Sequence, residues 1–279
     1  MNLHELLDPV LAIGRQAGAA ILDIYRRADH EVQSKTDESP LTAADLAAHR
    51  LIVAALQALT PALPVLSEEA ADIAWDVRRH WQRYWLVDPL DGTREFIKRN
   101  GEFTVNIALI EQGEPVLGVV HVPVSGFSYA GVRGLGAWKE DYQGSRERIH
   151  THTLAEHQRS LRVVASRSHR GAVLDEWLLR LQAAYPALEL LSMGSSLKIC
   201  LVAEGRADLY PRLAPTAEWD TAAAQAVLEA AGGRLVDLQN QDHRYNRKAE
   251  LLNPWFCAIG DAGRDFSALL AAGGTGGAE

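Results

Sequence analysis

The amino-acid sequence predicts an α+β protein. Its first half is helix-led and strand-rich, and its second half alternates strands with helices. Three observations carry this reading. Leu3, Leu6, Val10, Ile13, Ala17, Ile21 and Ile24 recur at helical spacing and mark an opening amphipathic helix. Residues 104–111 and 114–122 are apolar, β-branched runs around Gln112-Gly113, as in a long hairpin. Beyond Glu156, strand-like and helix-like runs alternate, which suits a layered α/β unit. A chain of 279 residues can form one large core or two lobes sharing a cleft.

The elements follow in order. Gly14 and Gly18 lie on the first helix as close-packing points, and residues 26–40 are polar, a loop or hairpin. Thr42 can cap the next helix, with Asp45 three residues on in a variant of the capping box. Leu46, Leu51, Ile52, Ala55 and Leu59 form its apolar stripe, and Pro61 and Pro64 end it. Val65-Leu66-Ser67 is a short strand leading into Glu68-Glu69, and residues 84–87 are another that ends at Asp88. After the hairpin come strands at 126–130 and 136–139, with tight turns at Gly131 and Gly134. The polar stretch 141–156 marks a boundary. Residues 1–145 are then an N-terminal α+β lobe, 146–270 a C-terminal α/β lobe, and 271–279 a flexible tail of mostly Gly and Ala. In the second lobe, strands at 161–165, 188–191, 207–210, 235–236 and 256–259 alternate with helices at 170–185, 197–203, 218–231 and 265–272. Gly232-Gly233 stops the helix before it.

Bulk properties narrow the function. The net charge is −8, from 28 basic and 36 acidic residues, with no basic arm or stripe, which argues against nucleic-acid binding. A small phosphorylated substrate stays open, because a few cations or metals reverse the field of a site. Cys200 and Cys257 sit among apolar residues and read as buried free thiols, and no Cys/His cluster has zinc spacing. Glu5 and Asp8 interrupt any leader-like start, and no window approaches eighteen uncharged apolar residues. The expectation is a cytoplasmic protein without an integral membrane segment. No G-x-G-x-x-G opens a βα unit, and neither a Walker A lysine nor a G-x-S-x-G elbow occurs.

The chemistry gathers on acids. Trp85-Leu86-Val87-Asp88-Pro89-Leu90-Asp91-Gly92-Thr93 delivers two carboxylates from a core-bound strand. Such a pair suits a hard cation, with Mg²⁺ the leading choice and the Leu90 carbonyl free to join as a neutral ligand. The structural alternative is an Asx-turn and helix cap. Gly92 allows a sharp turn, and N–H groups from Thr93 onward would attract a phosphate. Glu68 and Glu69 repel unless one faces water or a cation bridges them to other acids. Asp220 either complements a helix dipole or is held over a cleft by Trp219 and the proline-bounded stretch 211–215. Asp45 and Thr93 either cap helices or form a carboxylate–hydroxyl pair that orients water. Lys35, Arg167, His169, Lys198 and Arg212 are candidate phosphate contacts against a reading as surface charge. Gly194-Ser195-Ser196 is either an anion cradle or a turn.

These strings resemble the lithium-sensitive, magnesium-dependent phosphatases that include inositol monophosphatase and fructose-1,6-bisphosphatase. Ser67-Glu68-Glu69, residues 85–96 and Glu218-Trp219-Asp220-Thr221-Ala222-Ala223 carry the likeness, in matching order and at matching intervals. Residues 35–45 and 164–169, Gly194-Ser195-Ser196-Leu197-Lys198, Asp208-Leu209-Tyr210-Pro211-Arg212 and Leu251-Leu252-Asn253-Pro254 are similar to the branch of 3′(2′),5′-bisphosphate nucleotidases. The resemblance implies a layered α-β-α-β-α sandwich and hydrolysis of the 3′-phosphate of adenosine 3′,5′-bisphosphate to AMP and phosphate, a reaction tied to sulfate assimilation. It implies one Mg²⁺ on Glu68, Asp88 and the Leu90 carbonyl, a second on Asp88, Asp91 and Asp220, and a weaker third near Glu68. It places Asp45 and Thr93 on the attacking water and the Gly92 and Thr93 amides on the phosphate. Ser195, Lys198 and His169 fall toward the nucleotide, with Arg167 and Arg212 available to its 5′-phosphate. An inositol monophosphatase or broad sugar phosphatase is the alternative with the same chemistry, and a non-catalytic metal- or nucleotide-binding module is a remoter one. The resemblance also leaves a monomer or homodimer, and peripheral attachment to the inner membrane as the alternative to the cytoplasm.

Overall fold

The computed structural model describes residues 2–27, 40–165, 172–264 and 266. Its elements are α1 (Leu3–Arg27), α2 (Pro40–Leu59), β1 (Val65–Ser67), α3 (Trp75–Arg78), β2 (Arg83–Asp91), α4 (Thr93–Lys98), β3 (Thr104–Glu111), β4 (Glu114–His121), β5 (Ser128–Val132), β6 (Gly136–Glu140) and β7 (Arg146–Ile149), then β8 (Ser160–Ala165), α5 (Ala172–Ala184), β9 (Ala187–Ser192), α6 (Leu197–Ala203), β10 (Leu209–Arg212), α7 (Glu218–Ala230), β11 (Arg234–Asp237) and β12 (Phe256–Ile259). Strands β1 to β7 form one sheet in sequence order, antiparallel except for the parallel pair β1–β2. The second sheet has the order β11-β12-β10-β8-β9.

Side-chain alternation sets the layers. On the first sheet, Trp85, Val87, Val105, Ile107, Leu109 and Val119 face α1 and α2. Their neighbours Leu86, Ala108, Ile110 and Val120 face the other way, onto α6 and α7. The second sheet divides likewise. Val164, Tyr210, Leu235, Phe256 and Ala258 join α6 and α7, while Leu161, Val163, Leu209, Cys257 and Ile259 pack under α5 with Trp177 and Leu181. The stack is α1α2, first sheet, α6α7, second sheet, α5, which is the expected α-β-α-β-α sandwich. Helix α7 lies almost on the backbone of the first sheet. A Cβ at Gly118 would meet the Ala223 carbonyl at 2.2 Å, and one at Gly131 would meet Val227 Cα at 2.4 Å.

Several expectations are corrected. Gly131 lies inside β5, where α7 demands the absence of a side chain, and does not form a turn. Helix α2 begins at Pro40, so Thr42 and Asp45 lie within it and not at its cap. Its buried apolar residues among those described are Ala44, Ala48, Ile52 and Leu56, a four-residue stride rotated from the expected stripe. Strand β2 continues through Asp88 to Asp91. Strand β7 pairs with β6 inside the polar stretch, so the first sheet extends past residue 145. The stretches 28–39 and 267–279, with the expected final helix and tail, lie outside the described residues. Both cysteines are free and buried, as expected. Among the described residues, no helix is long and apolar enough to cross a membrane.

Candidate active site

A regular strand places residues three apart on opposite faces. Asp88 and Asp91 are three apart in β2, yet their carboxylates converge. The cause is a bulge. Asp88 pairs with Asn106, but Asp91 pairs with Thr104, so three steps on β2 match two on β3. The extra residue reverses the parity of everything after it. Pro89 fits there because a bulge tolerates a missing N–H. Gly92 follows at φ 96°, a left-handed turn that swings the chain into α4, with Phe103 and Ser195 close against it.

The third acid arrives from the other half of the chain. Asp220 stands at the third position of α7, and its Oδ2 accepts the Ala217 N–H at 2.8 Å. One carboxylate oxygen from each of Asp88, Asp91 and Asp220 lies within 4.8 Å of the others, so the cluster can coordinate a divalent cation. They sit in a cleft of about 340 Å³ whose lining includes Glu68, Leu90, Gly92, Thr93, Ser195, Lys198 and Arg212.

The electrostatics suit a cation. Asp88 is buried, and burial pushes its carboxyl well above the usual range, reinforced by Asp91, Glu68, Asp220 and Asp45. Burial, then Asp91, push Asp220 up to about 7, against the Ala217 hydrogen bond. Glu68 lies on an exposed 3₁₀ turn, but its carboxyl is desolvated and raised, opposed by a hydrogen bond with Asp88 and reinforced by Glu69 and Asp91. Asp45 is buried and pushed up to about 7, by burial and then by Glu69 and Glu68. Its Oδ1 has no hydrogen-bond partner among the described residues. An all-oxygen donor set that repels itself this strongly is the chemistry a hard cation relieves.

The remaining predicted residues divide. Lys198 is buried on α6, and its Nζ donates to the Ser195 carbonyl at 2.6 Å. Burial lowers its ammonium to about 8, helped by Arg212 and opposed by Asp91, Glu95 and Glu102. Arg212 lies in the same cleft and donates to the Pro215 carbonyl at 3.0 Å. Ser195 adopts φ 44° beside Gly92. Lys35, Arg167 and His169 lie outside the described residues.

Sequence reasoning missed the residues that hold Asp91. Its Oδ2 accepts the Ser196 N–H and the Ser196 hydroxyl, each at 2.6 Å, and longer contacts of 3.4 Å from Thr104 and Asn106. A detectable signal existed at Asn106, a buried polar residue in the otherwise apolar run of β3. Glu102, also missed, accepts the Gly194 N–H at 2.7 Å and fixes the turn before Ser195.

Fold and site together define an enzyme with an acidic, cation-competent cleft in an α-β-α-β-α sandwich. The family model "Inositol monophosphatase family" matches residues 2–262, and the chain belongs to that family. Within it, the chain is 52% identical over 252 residues to the 3′(2′),5′-bisphosphate nucleotidase CysQ of Escherichia coli, covering 90% of this chain and 98% of that protein. It is 36% identical over 272 residues to the CysQ of Haemophilus influenzae, covering 97% and 98%. The crystal structure of CysQ from Bacteroides thetaiotaomicron, described as a bacterial member of the inositol monophosphatase family, superposes with a TM-score of 0.78 at 44% identity, over 92% of this chain and 98% of that one. An Anabaena inositol monophosphatase shares the fold at a TM-score of 0.71 and 23% identity, over 98% and 95%.

Proposed function

We propose that this protein is a Mg²⁺-dependent 3′(2′),5′-bisphosphate nucleotidase that converts adenosine 3′,5′-bisphosphate to AMP and phosphate. The observation that carries the reading is the meeting of Asp88, Asp91 and Asp220 in a cleft also lined by the cations Lys198 and Arg212. The likeness to the CysQ proteins supports the choice of substrate. Glu68, Asp88 and the Leu90 carbonyl would hold one Mg²⁺, and Asp88, Asp91 and Asp220 a second, with Glu68 open to a weaker third. When bound, the ions supply Lewis-acid stabilisation of the phosphoryl and leaving oxygens and acidify water.

The chain's own groups do the rest. The Gly92 and Thr93 N–H groups hold phosphate oxygens. Thr93 and Asp45 orient the attacking water, and Asp45, with its raised pKa and unpaired Oδ1, takes up a proton. The water oxygen bonds to phosphorus as its proton passes to Asp45, the bond from phosphorus to the 3′-oxygen breaks, and that oxygen takes up a proton from solvent to leave AMP. Lys198 and Arg212 face the 5′-phosphate, with Ser195 toward the nucleoside. A 5′-phosphate needs such cations, whereas inositol 1-phosphate has no second phosphate to place on them.

The test is phosphate release from adenosine 3′,5′-bisphosphate and from inositol 1-phosphate, with and without Mg²⁺ and with added Li⁺. Mg²⁺-dependent, Li⁺-inhibited release that favours the bisphosphate is expected. Preference for inositol phosphate would select the sugar-phosphatase reading, and no Mg²⁺-dependent release would leave a binding module. Lys198→Ala should lower kcat/KM for the bisphosphate by about ten-fold or more, the scale of one lost charged hydrogen bond, and affect inositol 1-phosphate less. Equal losses on both substrates would remove Lys198 from the 5′-phosphate.

A further inference from the structure

We infer that Ser196, set by Asn106, is a positioning residue that fixes the distance between Asp91 and Asp220. The inference rests on the metal reading of those acids. It concerns how a ligand from the first sheet and one from the helix layer beneath it are held in register before any cation binds.

Asp91 comes from the end of β2, and Asp220 from the start of α7. Ser196 is the residue that touches both. Its hydroxyl lies 2.6 Å from Asp91 Oδ2 and 2.7 Å from the Asp220 carbonyl oxygen. Its backbone N–H donates to the same Asp91 oxygen at 2.6 Å. A hydroxyl has one proton to give, and here it has two acceptors. Asn106 bears on where it points. The Asn106 Nδ2 donates to Ser196 Oγ at 2.8 Å and occupies one of its lone pairs. With that direction filled, the hydroxyl proton points into the arc between the carboxylate and the carbonyl, and the near-equal distances to both make it a three-centre bond that ties the two together.

The setting is rigid. Ser196 and Asn106 are 3% and 1% exposed, so water does not compete for these donors. Ser196 immediately precedes α6, and the Gly194 N–H is pinned to Glu102 at 2.7 Å. A Cβ at Gly194 would stand 2.6 Å from Glu95 Cγ, so the loop lies close against α4. The string Gly194-Ser195-Ser196 thus has a division of labour. Both serines line the cleft, but Ser196 is the one whose N–H and hydroxyl grip a carboxylate. An oxygen held by the Ser196 N–H and hydroxyl leaves the other oxygen of Asp91 directed at the cluster.

The test is calorimetric titration of the full-length protein with Mn²⁺ alone, beside thermal unfolding without metal. Ser196→Ala keeps the backbone N–H but removes the bridge. It should weaken Mn²⁺ binding about 10- to 100-fold, the range for lost partners of metal ligands, and Ser196→Thr, which restores the hydroxyl, should recover most of it. Asn106→Leu, of similar volume and without a donor, should weaken binding in the same direction and serves if Ser196→Ala fails to fold. Asp91→Asn separates the two readings. If wild type and Asp91→Asn bind Mn²⁺ alike, the metal assignment fails. If Asp91→Asn loses binding while folded Ser196→Ala and Asn106→Leu bind as wild type, the metal assignment stands and the positioning role of Ser196 is overturned.

Discussion

Asp88 shows how one side chain sets opposite demands on folding and function. It is 1% exposed, and four other acids raise its pKa further. Its Oδ1 accepts the Leu90 N–H at 3.0 Å, a bond that asparagine can also accept. Asp88→Asn should therefore keep the bulge and remove one buried like charge. The metal-free variant is expected to unfold about 2–6 °C above the metal-free wild type, as for roughly 1–2 kcal/mol in a chain of this size. Turnover should nearly vanish, and Mg²⁺ should no longer raise the midpoint. Wild-type turnover in this variant, or a lower metal-free midpoint, would remove Asp88 from the ligand set. The acids themselves were legible in the sequence, because carboxylates delivered by an apolar strand have few bland uses. Their supports were not. Ser196 read as part of an anion cradle, since sequence does not say that its hydroxyl faces Asp91, and Asn106 and Thr104 were hidden inside a strand pattern.

At the scale of elements, the packing of α1 on the first sheet rests on a missing side chain. A Cβ at Gly18 would come within 2.5 Å of the His121 ring, while one at Gly14 would meet its neighbours at an ordinary 3.5 Å. His121 cannot retreat easily, because it is buried and its Nδ1 lies 2.9 Å from Ser128 Oγ on the next strand. Gly18→Val should overpack this contact and cost about 1–3 kcal/mol by urea denaturation. Gly14→Ala, at a roomy helical position, should be neutral or stabilising. Equal stability of the Gly18 variant and wild type would show that α1 can slide on the sheet. The two glycines were readable as close-packing points because they lie on a periodic apolar stripe. The bulge between Asp88 and Asp91 was not readable, since it is a register property that needs the partner strand. Strand β7 escaped notice for a different reason. It is mostly exposed at the sheet edge, so its sequence lacks the apolar alternation that marks a strand.

At the scale of the whole molecule, the layer order follows from alternation along each strand, whereas the sharing of α6 and α7 between two sheets does not, because a helix buried nearly all round does not name its neighbours. That shared middle layer brings the acids of both halves together, and it gives the protein a distinctive pH response. Asp45 and Asp220 are pushed up to about 7 from 3.8, and Glu218 and Glu229 to about 7 from 4.5, each chiefly by burial. In the metal-free folded state these four bind protons near pH 7, but the unfolded chain binds them only near pH 4. Across that interval the folded state holds the extra protons, so acidification stabilises it. Asp88 and Glu68, also raised, act in the same direction. His121, pushed down to about 4 by burial, opposes this below its ordinary 6.5, and so does His243, lowered by burial. The raised acids outnumber the two lowered histidines, so the balance favours the folded state as the pH falls. The metal-free protein should thus show a higher urea midpoint at about pH 5.5 than at about pH 7.5. Mg²⁺ should shrink or reverse the difference, because it holds Asp88 and Asp220 ionised in the folded state. A metal-free midpoint that falls on acidification would mean that the histidines dominate and that the acid cluster is not desolvated as its burial implies.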